Sequence, residues 1–442
     1  MLGRQYGYPL IPYGKAVRGA MNVTNVIGHK RELADAQSKS VVKPNIDTLY
    51  SIMFYDISQD DLELTVPELK NRYWLFSFYD LFGNNYANIG SLHGFQQGKF
   101  RIRYATQSFG TQEGNITDGF QAYVNSPTPY GLMLMRVAVY SVGTDYPIIH
   151  AFQDATNVTK IPWSLQNSRV HPFNLTIFSD PRYNPDAGVT SLAESVLRLT
   201  ALLSPSNLPR VLQDRPWVAD TLALAGIRDG KFTQPVGTSL SIAAATADAS
   251  AAAILSTAGF VQQLGNNWTQ PAGYISGDFF SYYQARHFIS LNGYLQLTAD
   301  EALYPRYASG PSNPGFEIKA DEALIFTFSS VPQMLPTGFW SLTAYGEDQF
   351  LIPNPLNRYG LGSKDNLTFS DGTLVSNTTT RSFEILVQPG DIPPPQNWTS
   401  NWLPGPSGGG SFVVTLRFYG AGLSLANGSY TYPLVTKVKA FT

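Results

Sequence analysis

Leu132-Met133-Leu134-Met135-Arg136-Val137-Ala138-Val139-Tyr140-Ser141-Val142 is the stretch that decides how this chain folds. It is almost continuously apolar and carries one charge, Arg136. Such a run, with turn material on either side, reads as a strand buried on both faces. Tyr73-Trp74-Leu75-Phe76-Ser77-Phe78-Tyr79, closed by Arg72 and Asp80, has the same character. A guanidinium inside such a strand needs a partner, because an unpaired buried charge costs several kcal/mol. Arg136 is therefore expected to draw an acid from a distant segment, and Asp47 or Asp80 is the expected one. The pair would serve either as an anion-recognising site or as a structural ion pair.

Working outward, residues 1–40 read as a helical lead-in, with helix formers and clustered charge from Gly28 to Gln37. Residues 41–184 read as an N-terminal β-sandwich domain. Residues 185–305 change to a helical segment. Ser191-Leu192-Ala193-Glu194 and Thr298-Ala299-Asp300-Glu301 are capping boxes, and Thr238 to Gly259 is rich in Ala. Residues 306–442 return to strands and read as a C-terminal β-sandwich domain. There Phe412, Val414, Leu416 and Phe418 alternate with Val413, Thr415, Arg417 and Tyr419, the pattern of a half-buried strand. The predicted fold is mainly β with a helical segment: two β-sandwich or jelly-roll domains plus helices.

The 442 residues are 43% hydrophobic and 13% aromatic, which is the composition of a folded chain. Charged residues are only 14% and the net charge is −2, so no basic face for nucleic acid is implied. The absence of cysteine removes disulfides, thiolate nucleophiles and iron–sulfur sites. The five histidines show no HExxH or H-x-H spacing, so no metal or other cofactor is expected. No apolar run is long enough for a membrane span. Nine N-x-S/T sequons begin at Asn22, Asn115, Asn157, Asn174, Asn267, Asn366, Asn377, Asn397 and Asn427. With the low charge they predict a secreted, extracellular protein bearing N-linked glycans, its leader lying outside this numbering.

Two long blocks carry a family resemblance. Lys43-Pro44-Asn45-Ile46-Asp47-Thr48-Leu49-Tyr50-Ser51, Arg72-Tyr73, and Asp80 with Asn84-Asn85-Tyr86-Ala87-Asn88-Ile89-Gly90 resemble the domain of unknown function numbered 1254. Trp340 to Tyr345, Phe350 to Tyr359, Asn401-Trp402-Leu403-Pro404 and Leu416-Arg417-Phe418-Tyr419 resemble its usual partner, numbered 1214. The resemblance implies two jelly-roll sandwiches with a helical part, often exported. It implies no activity.

Three polar clusters are candidates for chemistry. Asn45, Asp47, Thr48 and Tyr50 form the first, where Asp47 could act as general base or the Asn-x-Asp-Thr segment could merely close a structural turn. Asp80, Asn84, Asn85, Tyr86 and Asn88 form the second, followed closely by His93, and the other reading of this stretch is an Asn-rich turn. Asp47 and Asp80 together would make a carboxylate pair of the kind used in glycoside hydrolysis, with His93 beside them. Asn354, Asn357, Arg358 and Tyr359, with Trp402 expected over them, form the third, either a recognition site or a loop plug. The matching G-x-S-x-G at Gly405 lacks the strand-to-helix context of a nucleophile elbow. The expected function is a cofactor-independent hydrolase or lyase acting on a small or sugar-like substrate through carboxylates, with Asn45, Tyr50, Asn88, Arg136, Asn354 and Arg358 binding the ligand. The alternative is a non-enzymatic ligand-binding or self-assembling jelly-roll protein, a homo-oligomer.

Overall fold

The computed structural model describes residues 1–39, 41–114, 117–163, 170, 173–308, 315–376 and 380–442. The first sandwich stacks two five-stranded sheets. One has the order Gly28–His29, Thr48–Asp56, Tyr130–Ala138, Trp74–Asp80, Asn85–Gly90; the other has Asn157–Ile161, Asp61–Val66, Gly98–Tyr104, Phe120–Ser126, Gly110–Glu113. The apolar run is the central strand of the first sheet, antiparallel to both neighbours. Met133, Met135 and Val137 enter the core shared with Leu62, Leu64, Phe100 and Ile102 of the second sheet. Leu132, Leu134 and Ala138 enter a different core on the opposite face, with Tyr13, Leu199, Phe339 and Tyr419. Both faces are covered, which is why the run lacks polar alternation.

The second sandwich repeats the plan. Gly410–Ala421 and Met334–Gly346 form the centre of one sheet, edged by Ala302–Leu303 and Gly360–Gly362. The other runs Trp402–Gly405, Phe383–Pro389, Glu322–Phe328, Leu434–Lys439. Phe412, Val414, Leu416 and Phe418 fill the core as their alternation predicts. Their counterparts Arg417 and Tyr419, expected on a wet face, are buried as well. The outer face of this sheet packs against the outer face of the first sandwich, where Tyr73 lies on Phe339 and Tyr419.

Helices cover the rest of that outer face. Leu2–Gly7 and Leu10–Gly19 pack with Leu192–Leu203, Asp214–Leu224, Leu240–Ala253 and Tyr283–Asn292. The first capping box works as read, because Ser191 Oγ accepts the Glu194 N–H at 3.2 Å. At Gly7 a Cβ would overlap Thr200, so the glycine allows the close helix crossing.

Three local readings are corrected. Gly28 to Gln37 is not helical: Gly28–His29 pairs along Thr48–Asp56, and Lys30 N–H donates to Tyr50 O at 2.8 Å. Sheet pairing here outweighs helix propensity. The end of the apolar run turns into the helix Val142–Ala155, because Asp145 gathers the N–H groups of Tyr140 and Ser141 at 2.7 and 3.1 Å. The second capping box starts no helix. Thr298 to Glu301 is a single turn feeding the strand Ala302–Leu303. Among the described residues no helix is long and apolar enough to cross a membrane.

Candidate functional site

The seam where the two sandwiches and the helices meet contains two buried acid–base clusters. Arg136 projects into it, 5% exposed, on the same face of the sheet as Tyr50, Ser77 and Tyr79. Its Nη1 donates to Ser77 Oγ at 2.6 Å, and its guanidinium carbon lies 5.4 Å from the Tyr50 ring centre. Its Nε has no hydrogen-bond partner among the described residues. The expected pairing with Asp47 or Asp80 does not occur.

Register explains why. Asp80 lies opposite Gly131, at one end of the central strand, while Asp47 O accepts the N–H of Val139 just beyond the other end. Eight residues at about 3.3 Å each separate these positions by about 26 Å, whereas a glycosidase pair needs about 5–10 Å. The two aspartates therefore form no carboxylate pair. Asp47 forms an ion pair of 2.8 Å with Lys364 and accepts Ser341 Oγ at 2.6 Å. Burial raises its pKa, but Lys364, Ser341 and Arg417 outweigh that and hold the carboxyl below its ordinary value. Asp80 accepts the N–H groups of Phe82 and Asn84, each at 2.9 Å, and Asn84 Nδ2 at 2.7 Å. It ties its own turn, and burial pushes its pKa up.

The acid within electrostatic reach of Arg136 is Glu301, which sequence reading had placed at a helix start. It is 1% exposed. Asn85 Oδ1 accepts the Thr298 N–H at 3.2 Å, and Asn88 Nδ2 donates to Thr298 Oγ1 at 3.0 Å. The Glu301 carbonyl accepts Gly420 N–H at 2.9 Å. These bonds hold the turn so that its glutamate faces inward. Tyr73 donates to Glu301 Oε1 at 2.5 Å. The other oxygen, Oε2, lies 3.2 Å from His93 Nε2 but off the hydrogen-bond line, so it has no bonded partner among the described residues. Burial raises the Glu301 pKa to about 7, helped by Asp300 and opposed by Tyr73 and Arg136. Burial also lowers that of His93. Both groups are driven toward their neutral forms, as in proton-transfer sites. One signal for Glu301 was present in the sequence: Pro305 follows too closely for a helix beginning at Ala299 to continue.

The remaining candidates are placed as follows. Asn45 Oδ1 accepts the N–H groups of Asp47 and Thr48 at 2.6 and 3.1 Å, closing the turn, and its Nδ2 donates to Tyr419 OH at 2.7 Å. Asn88 is engaged with Asn85 and Thr298 and positions the Glu301 turn. Asn354 bonds the backbone of its own loop, and Arg358 donates to the carbonyls of Thr399 and Trp402 at 2.6 and 2.9 Å. That third cluster is a loop tie, distinct from the seam. Trp402 packs with Ala323 and Leu386 rather than over the loop. A groove of about 230 Å³, lined by Trp74, Ser91, Gly94 and Thr337 among others, runs beside the His93 loop. Among the described residues no three His, Asp or Glu side chains converge as metal ligands.

Comparison with known proteins finds two family models that match this chain, one toward each end. The family described as "Protein of unknown function (DUF1254)" matches residues 24–160, and "Protein of unknown function (DUF1214)" matches residues 301–422. The chain belongs to the family that pairs these two domains. The seam is thus the junction of the two matched regions, with Arg136 and Tyr73 from one and Glu301 and Tyr419 from the other. The VPA0106 protein of Vibrio parahaemolyticus shares the fold, with a TM-score of 0.64 at 18% identity over 99% of this chain and 98% of that one. An uncharacterized protein from Burkholderia cenocepacia aligns with a TM-score of 0.48 at 11% identity over 99% and 88% of the two chains. No curated protein matches the sequence.

Proposed function

We propose that the chain is a cofactor-independent hydrolase or lyase whose chemistry takes place at Glu301, in the seam between the sandwiches. The observation that carries this reading is the asymmetry of that carboxyl: Oε1 is held by Tyr73, while Oε2 is left beside His93. In this reading Glu301 is the general base. Its free oxygen takes a proton from a water or from the substrate and returns it to the leaving group. Tyr73 fixes the carboxylate plane, neutral His93 exchanges the proton with solvent, and Arg136 and Tyr50 hold the substrate. A pKa close to the working pH favours both halves of such a transfer. Hydrolysis of esters and glycosides, and elimination from sugar acids, would be assayed for the wild type and for Glu301→Gln. The variant is expected to lose about 10²–10⁴-fold in rate. The wild-type rate should rise with pH through about 7. Equal turnover by the two proteins would contradict the proposal.

Export and N-glycosylation belong to the same reading. Asn157, Asn174, Asn267, Asn366, Asn397 and Asn427 are exposed and Asn22 is half-buried, while Asn115 and Asn377 lie outside the described residues. Expression through a eukaryotic secretory pathway, followed by glycosidase treatment, should give a stepwise gain in mobility. No change in mobility would remove the glycoprotein reading.

A further inference from the structure

We infer that the seam recognises a small organic acid, its carboxylate bound by Arg136 and Arg417 and its ring lying among Tyr50, Tyr304 and Tyr419. The inference deepens the proposed function, since it names the substrate class of the same site.

Arg136 and Arg417 reach the seam from facing sheets of the two sandwiches, and each is 5% exposed. Arg417 donates to Thr343 Oγ1 at 3.0 Å, to Tyr345 OH at 2.6 Å and to Lys43 O at 3.3 Å, all neutral acceptors. Arg136 donates to neutral Ser77 and keeps Nε free. Among the described residues no carboxylate lies within ion-pair distance of either guanidinium. Asp47 is paired with Lys364, and Glu301 is near half-protonation at neutral pH. A buried guanidinium beside neutral groups alone is costly, and its planar fork of N–H donors matches a carboxylate. Arg136 therefore has no ion-paired acid, and Arg417 has only the through-space field of Asp47, which is already paired with Lys364.

Two further cations lie close by. Lys43 and Arg306 are exposed, and Arg306 and Arg417 repel the Lys43 ammonium. Arg306 makes no hydrogen bond or ion pair among the described residues. An anion approaching from this side meets Lys43 and Arg306 before the buried arginines. Aromatic side chains lie beside these cations. Tyr50 and Tyr304 are half-buried, and Tyr304 lies 6.2 Å from Tyr419 between ring centres. Tyrosine faces and hydroxyls suit a ring that carries both apolar and hydroxylated surface.

The test is calorimetric titration of the full chain with benzoate and D-glucuronate, with D-glucose as the neutral ring and inorganic phosphate as the ring-free anion. Saturable binding of at least one carboxylate is expected, at least tenfold tighter than glucose or phosphate. Arg136→Met should weaken it at least tenfold, and Lys43→Ala less, with a reduced salt dependence. If Arg136→Met does not fold, Arg136→Lys, which keeps the charge and loses the planar fork, should still weaken the carboxylate at least fivefold. Glu301→Gln is expected to bind the carboxylate while losing turnover. Binding retained with turnover also retained would defeat the general-base assignment alone. Failure of both carboxylates to bind wild type, or phosphate binding as tightly as they do, would overturn the inference.

Discussion

Asp47 and Glu301 are both buried carboxylates in the seam between the sandwiches, yet their surroundings drive them in opposite directions. Asp47 has an ammonium at 2.8 Å and a hydroxyl at 2.6 Å, and its pKa is lowered. Glu301 has one bonded oxygen and one free, and its pKa is raised to about 7. The first cluster is closed: every charge is compensated by the protein itself. The second is open, with an unbalanced arginine on one side and a carboxyl near neutrality on the other. Such open clusters are found where a protein must accept a proton or a ligand.

The largest effect is expected at Asp47. Asp47→Ala leaves half-buried Lys364 without its carboxylate, holding only backbone carbonyls, and should cost about 3–5 kcal/mol in urea unfolding at neutral pH. Because its folded pKa lies below the unfolded one, Asp47 contributes stability above the unfolded value, and this is lost as pH falls through the folded one. The deficit of the variant should accordingly shrink in acid. A loss below about 1 kcal/mol would mean that the lock is dispensable. Glu301→Gln should behave in the reverse sense. The raised pKa of Glu301 penalises folding as pH rises from the unfolded value to about 7 and holds that penalty above it. The variant should therefore be more stable than wild type at pH ~8, by about 3 kcal/mol, and equal to it near pH ~4. Destabilisation at both pH values would place Glu301 with Asp47 as a structural group. Asp80→Asn should have the smallest effect, about 1–2 kcal/mol from one disturbed buried hydrogen bond. It should leave turnover unchanged, and a loss of turnover would return Asp80 to the chemistry.

Much of this was legible in the sequence. The apolar run around Arg136 announced a strand buried twice over, and the buried guanidinium announced a polar cluster. Phe412 to Tyr419 announced its two faces, although only the packed domains reveal that Arg417 and Tyr419 lie in a second interior. The identity of the acid near Arg136 was not legible. Glu301 belongs to a turn whose local pattern imitates a helix cap, and tertiary bonds from Asn85 and Asn88 decide its direction. Lys364 sits in a loop after Gly360–Gly362 with no periodicity to mark it as the partner of Asp47. Both contacts cross between domains, and pattern along a single strand or helix carries no record of which surfaces will meet.

The most direct test of the open cluster is the ionisation of Glu301 itself, followed through its side-chain carboxyl carbon by NMR and assigned by the signal missing from Glu301→Gln. A midpoint of about 7 is expected. A midpoint in the ordinary glutamate range, near about 4.3, would contradict it.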